Sequence, residues 1–128
     1  MRAIVDTHAL LWAAVDAPTL SAVAREVLRD RESVLFLSAA SVYELTWKAA
    51  RGRLALPSDP ASWVRSRMDV FRLRPLPVEP AHAIEAALLP PIHGDPWDRL
   101  LVAQARLAEI PLLTADERIR KYDVETIW

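Results

Sequence analysis

A chain of 128 residues is long enough for one hydrophobic core and too short for two, so a single domain is expected. Its 16 basic and 17 acidic side chains nearly cancel, for a formal net charge of -1, which argues against a nucleic-acid binder held by bulk charge. It has no cysteine, which excludes a disulfide scaffold and cysteine-bound zinc and fits a reducing compartment.

Met1 leads directly into a strand-like run, not into the apolar stretch and small-residue cleavage site of a signal peptide. Residues 3–5 are a short buried strand ending at Asp6. Residues 8–15 read as a helix that Pro18 stops. Thr19 or Ser21 caps a second helix, whose apolar stripe is Leu20, Val23, Val27 and Leu28. Residues 34–37 form the second strand. A third helix starts at Ser38 or Ser41, and Gly52 closes it. A proline-bearing loop over 53–60 leads to a helix over about 61–70. Residues 72–76 hold Pro75 and suit an edge strand.

Residues 80–89 form a helix that stops before Pro90 and Pro91. The strongest helix opens next, with Asp95 as its N-cap and Pro96 in its first position. Residues 111–114 are another buried strand, followed by a short helix over 116–121 and a last strand over 124–127. Alternating strands and helices predict an α/β three-layer sandwich with a mostly parallel central sheet. Two glycines cannot build a glycine-rich phosphate loop. No segment approaches the ~18 apolar residues that span a bilayer. A soluble, cytoplasmic protein is therefore expected.

Parallel sheets bind ligands beyond the carboxyl ends of their strands. Four acids map there: Asp6 after the first strand, Glu44 in the third helix, Asp98 in the first turn after Asp95, and Asp116 after the strand at 111–114. Each also has an ordinary structural reading. Asp6 can cap a helix, Asp116 sits inside a capping box running from Thr114 to Glu117, Asp98 suits a helix dipole and Glu44 can pair with Lys48. Together they say more. Glu44 is flanked by Val42, Tyr43, Leu45 and Trp47, an apolar setting for a charge meant only for solvent. Carboxylates meeting at one edge repel, and a divalent cation resolves the conflict. An all-oxygen ligand set favours magnesium or manganese. Such a site activates water and neutralises charge on a phosphodiester.

Four stretches then carry a family resemblance: residues 5–12 with Asp6 and Thr7; residues 38–45 with Glu44, and Lys48 beyond; residues 93–105 with His93, Asp95, Trp97, Asp98 and Arg99; and residues 112–116 with Thr114 and Asp116. In this order and spacing the chain resembles the PIN-domain ribonucleases, and among them the VapC-type toxins of toxin–antitoxin pairs. The resemblance implies catalysis by Asp6, Glu44, Asp98 and Asp116. It implies metal held by Asp6, Glu44 and Asp98, and a small hydroxyl residue, Thr114, near the site. It also implies a Mg²⁺ or Mn²⁺ cofactor, an RNA substrate, an antitoxin partner and a homodimer. Trp97 stands where phenylalanine is commoner in the family.

Thr114, Arg99 and Lys48 are candidate substrate contacts. Arg99 suits phosphate or an acid equally well. Lys48, Arg51 and Arg53 form a basic patch near Glu44. His8 and His93 are assigned to packing or capping rather than chemistry. Trp12, Trp47 and Trp63 fit either the core or a groove that receives a partner's helix or strand. Three alternatives stay open: a solitary PIN nuclease in RNA processing, a non-catalytic binding module, and a phospho-accepting receiver-like domain. The last expects an acid ending a middle strand, where this chain has Ser38.

Overall fold

The computed structural model describes all residues from Met1 to Trp128. Five strands, β1 (Arg2–Val5), β2 (Val34–Ser38), β3 (Arg74–Leu76), β4 (Leu112–Leu113) and β5 (Thr126–Ile127), form one sheet in the order β3-β2-β1-β4-β5. Every neighbouring pair is parallel, with Ile4 opposite both Phe36 and Leu112. The chain builds outward from β1 to β3, then crosses back to build β4 and β5 on the other side. The reversal falls between β1 and β4, where the connections leave in opposite directions and open a crevice above the strand ends.

The helices are α1 (Thr7–Ala14), α2 (Ala22–Arg29), α3 (Ala39–Ala50), α4 (Pro60–Phe71), α5 (Pro80–Leu88) and α6 (Pro96–Ala108). Ser21, Ser38, Asp59 and Asp95 cap α2, α3, α4 and α6 through their side chains. Gly52 lies just past α3 at φ +69°, a turn that a residue with a Cβ adopts only under strain. β3 is the edge strand that Pro75 requires, since proline cannot donate to a neighbour.

Two local expectations fail. Val23 is half exposed and Ala24 takes the inward position of α2. Residues 116–121 do not form a helix; only a 3₁₀ turn, Ile119–Lys121, remains. The cause is local. Thr114 Oγ1 accepts the Asp116 N–H (3.1 Å) and Asp116 Oδ1 accepts the Arg118 N–H (2.8 Å). Side chains that take up these donors compete with helix formation.

Alternate strand residues face opposite sides, which makes three layers. Ala3, Val5, Leu35, Leu37 and Leu113 pack with α1 to α4. Ile4, Leu112, Leu101, Val102 and Ala105 form the second core, beneath α6. Leu101 is fully buried there, a burial that stabilises by about 1.5–3 kcal/mol. No helix is long and apolar enough to cross a membrane.

Candidate metal and active centre

The strand ends deliver the acids to the crevice. Asp6 follows β1 directly and holds the N-cap position of α1, yet its side chain makes no cap hydrogen bond. Its Oδ2 instead accepts from Thr114 Oγ1 at 2.8 Å, across the β1–β4 reversal. A good capping residue diverted from capping forfeits about 0.5–2 kcal/mol of helix stability. Its other oxygen, Oδ1, is buried with no partner.

Glu44 repeats the pattern. It is 2% exposed and its Oε2 accepts from Lys48 Nζ at 2.6 Å, the expected i,i+4 pair. Oε1 is buried and unpartnered. Asp98 sits in the first turn of α6, where Asp95 Oδ1 accepts from the Trp97 and Asp98 N–H groups. Asp95 is thus the helix cap, as its sequence position implies.

The four acids feel one another. Burial pushes Asp98 up to about 8, helped by the charges of Asp6, Asp95, Glu44 and Asp116. Burial also raises Asp6, and Glu44 adds to the rise, while the Thr114 hydroxyl and His8 oppose it. Asp116 goes the other way. Its partial burial would raise it, but hydrogen bonds from His93 and the Arg118 N–H hold it below the ordinary carboxylate range.

His93 is the residue whose place sequence reasoning missed. It is 2% exposed, and its Nε2 lies 3.0 Å from both Asp98 Oδ2 and Asp116 Oδ2. The trio is compact enough, within 4.8 Å, to look like a metal site in its own right. The available signal was its position, five residues before Asp98 and just ahead of the Asp95 cap.

The expected substrate contacts fare unevenly. Thr114 is fully buried, and its hydroxyl donates to Asp6 and accepts the Asp116 N–H. Arg99 is not brought to the acids. Its guanidinium donates to the carbonyls of Ala86 (2.8 Å), Leu89 (2.9 Å), Pro90 (3.0 Å) and His93 (3.2 Å). It ties the end of α5 and the following loop to α6 through both terminal nitrogens.

Lys48 stays at the rim, its Nζ 5.8 Å from the centre of the Trp97 ring. Arg51 and Arg53 lie over Trp47, which in turn packs on Trp97. His8 is exposed and packs on Trp12. The tryptophans do not share one groove. Trp12 and Trp63 line a cleft with Leu11, Leu54 and Leu56, whereas Trp47 stands on α3 beside the acids.

Two buried carboxylate oxygens without a donor are costly unless a cation meets them. Asp6 Oδ1 and Glu44 Oε1, with Asp98 beside them, therefore fit a hard divalent ion with oxygen preference. A parallel sheet with an acidic cluster at its reversal point defines an α/β protein with a candidate metal site. The PIN domain matches residues 3–125, and the chain belongs to that family.

The chain is 30% identical over 120 residues to Ribonuclease VapC22 of Mycobacterium tuberculosis, covering 93% of this chain and 90% of that one. Two solved structures share its fold. VapBC2 from Rickettsia felis, bound to a DNA fragment from its promoter, superposes with a TM-score of 0.67 at 14% identity, over 99% of this chain and 98% of that one. FitAcB from Neisseria gonorrhoeae does so with 0.63 at 20% identity, over 100% and 97%.

Proposed function

We propose that this protein is a divalent-metal-dependent endoribonuclease and the toxin of a toxin–antitoxin pair, working in the cytoplasm. The observation that carries the reading is the pair of buried, donor-free oxygens on Asp6 and Glu44 beside a carboxyl raised by its acidic neighbours. Asp6, Glu44 and Asp98 would hold magnesium or manganese. When bound, the ion supplies charge neutralisation for the phosphoryl oxygens and an acidified water.

The chain's own residues do the rest. Thr114 and Lys48 each hold one oxygen of Asp6 and Glu44, which turns the other inward. Asp116, held ionised by its donors, orients the attacking water by accepting its hydrogen bond. With no net positive charge, the RNA strand is held locally by Lys48, Arg51 and Arg53 and the interleaved Trp47 and Trp97 rings.

The fold shared with VapBC2 and FitAcB fits the antitoxin partner that the VapC-type resemblance implies. The apolar cleft of Leu11, Trp12, Leu54, Leu56 and Trp63 is shaped to take an amphipathic segment of it. Ile84 and Leu88, largely exposed on α5, give a second copy an apolar face for a homodimer. The purified protein should cut RNA with Mg²⁺ or Mn²⁺ and stop in EDTA, and Asp6→Asn should abolish cleavage. Full cleavage in EDTA would refute the reading.

A further inference from the structure

The loop between α5 and α6 has no regular structure, yet it buries a histidine beside the acids. Both backbone groups of His93 are held. Its N–H donates to Tyr122 Oη at 2.8 Å, and its carbonyl accepts from Arg99 at 3.2 Å. Tyr122 Oη in turn donates to Pro90 O at 3.0 Å. Such bracing of a loop by two side chains from other elements is what fixes a ring in place.

The ring's proton can then be located without reference to the acids. The Asp95 N–H points at Nδ1 at 3.1 Å. A backbone N–H only donates, so Nδ1 must present its lone pair and the proton sits on Nε2. That N–H faces Asp98 Oδ2 and Asp116 Oδ2, each 3.0 Å away. A protonated nitrogen has no lone pair for a cation, so the compact trio is not a metal site.

Resting on the metal reading above, we propose that His93 is a positioning residue. Its Nε2–H, shared between Asp98 and Asp116, holds one oxygen of Asp98 and leaves the other for the cation. The site is then one device used three times. Thr114 holds Asp6 Oδ2, Lys48 holds Glu44 Oε2 and His93 holds Asp98 Oδ2. Asp116 differs, because His93 and the Arg118 N–H engage both of its oxygens. His93 thereby couples the acid that binds the ion to the acid that orients water.

The test compares His93→Gln with His93→Asn in the full chain. Glutamine carries an amide N–H to the place of Nε2, whereas asparagine reaches only the place of Nδ1. Calorimetric Mn²⁺ binding should stay within about threefold of wild type for His93→Gln and fall ~10–100-fold for His93→Asn and His93→Ala. RNA cleavage should follow the same order. Imidazole ¹⁵N spectra should show the proton on Nε2 before and after Mg²⁺ is added.

Rescue by asparagine and not glutamine would overturn the proposal, since His93 would then act only through the Asp95 loop. So would loss of the Nε2 proton on adding Mg²⁺, which would make His93 a ligand. If wild type takes up no Mn²⁺, the metal reading fails by itself. The spectra still decide the histidine: a proton on Nε2 supports the donor role and a proton on Nδ1 refutes it.

Discussion

Val5 and Asp6, Leu45 and Glu44, and Leu113 and Thr114 are neighbours in the chain and nearly equal in burial, yet they do opposite work. The apolar member of each pair joins the core under the sheet edge, and leaving water stabilises it. The polar member stands one residue away at the rim, where leaving water raises Asp6 and keeps an oxygen of Glu44 without a donor. The fold therefore draws its stability from one layer and places its chemistry in a layer that, without a cation, is unfavourable. Function and stability should therefore be separable by single substitutions.

The strongest way to break that contrast is Asp98→Asn. Cleavage should fall by about 10²–10³-fold or more, measured on labelled RNA with Mg²⁺. Stability should move the other way. The Asp98 carboxyl is raised from 3.8 to about 8 in the fold, so its contribution is present at low pH and is lost as pH climbs through that range. Asp6 shifts in the same direction and Asp116 in the opposite one. In EDTA, wild type should melt lower at pH 8 than at pH 5. Asp98→Asn should flatten much of that slope and melt higher than wild type at pH 8.

Leu101→Ala tests the other layer. It should remove about 2–5 kcal/mol in a denaturant melt and leave cleavage per folded molecule unchanged. Thr114→Val probes the seam between the two. It keeps the volume but removes the donor to Asp6 and the acceptor of the Asp116 N–H, so Mn²⁺ affinity should drop ~10–100-fold. Thr114→Ser should restore it, and equal losses in both variants would count against the hydrogen bond.

Local chemistry made much of the fold legible. Asp95 and Pro96 announce their helix, Pro75 announces an edge strand, and unbroken apolar runs announce strands buried on both faces, while the structure chose Ser38 over Ser41 as the cap of α3. The short helix expected over 116–121 failed because Thr114 and Asp116 spend their side chains on nearby N–H groups. Arg99 was open to misreading because its neighbour Asp98 faces the acids while Arg99 itself serves carbonyls up to 13 residues back. His93 looked like a lone histidine until Asp116, 23 residues on, came within 3.0 Å.

By itself the sequence determined most of the strands and helices in their order, the Asp95 cap, and four candidate acids, Asp6, Glu44, Asp98 and Asp116, because propensity, period and motif act over a few residues. Only the tertiary structure decided how those acids are used. Thr114 lies 108 residues from Asp6, and their hydrogen bond exists only because β1 and β4 are neighbours at the reversal of the sheet. Which carboxylate oxygen is held and which is left for a cation is therefore a property of the assembled strand ends, where donors distant in the chain converge on acids that burial has deprived of water.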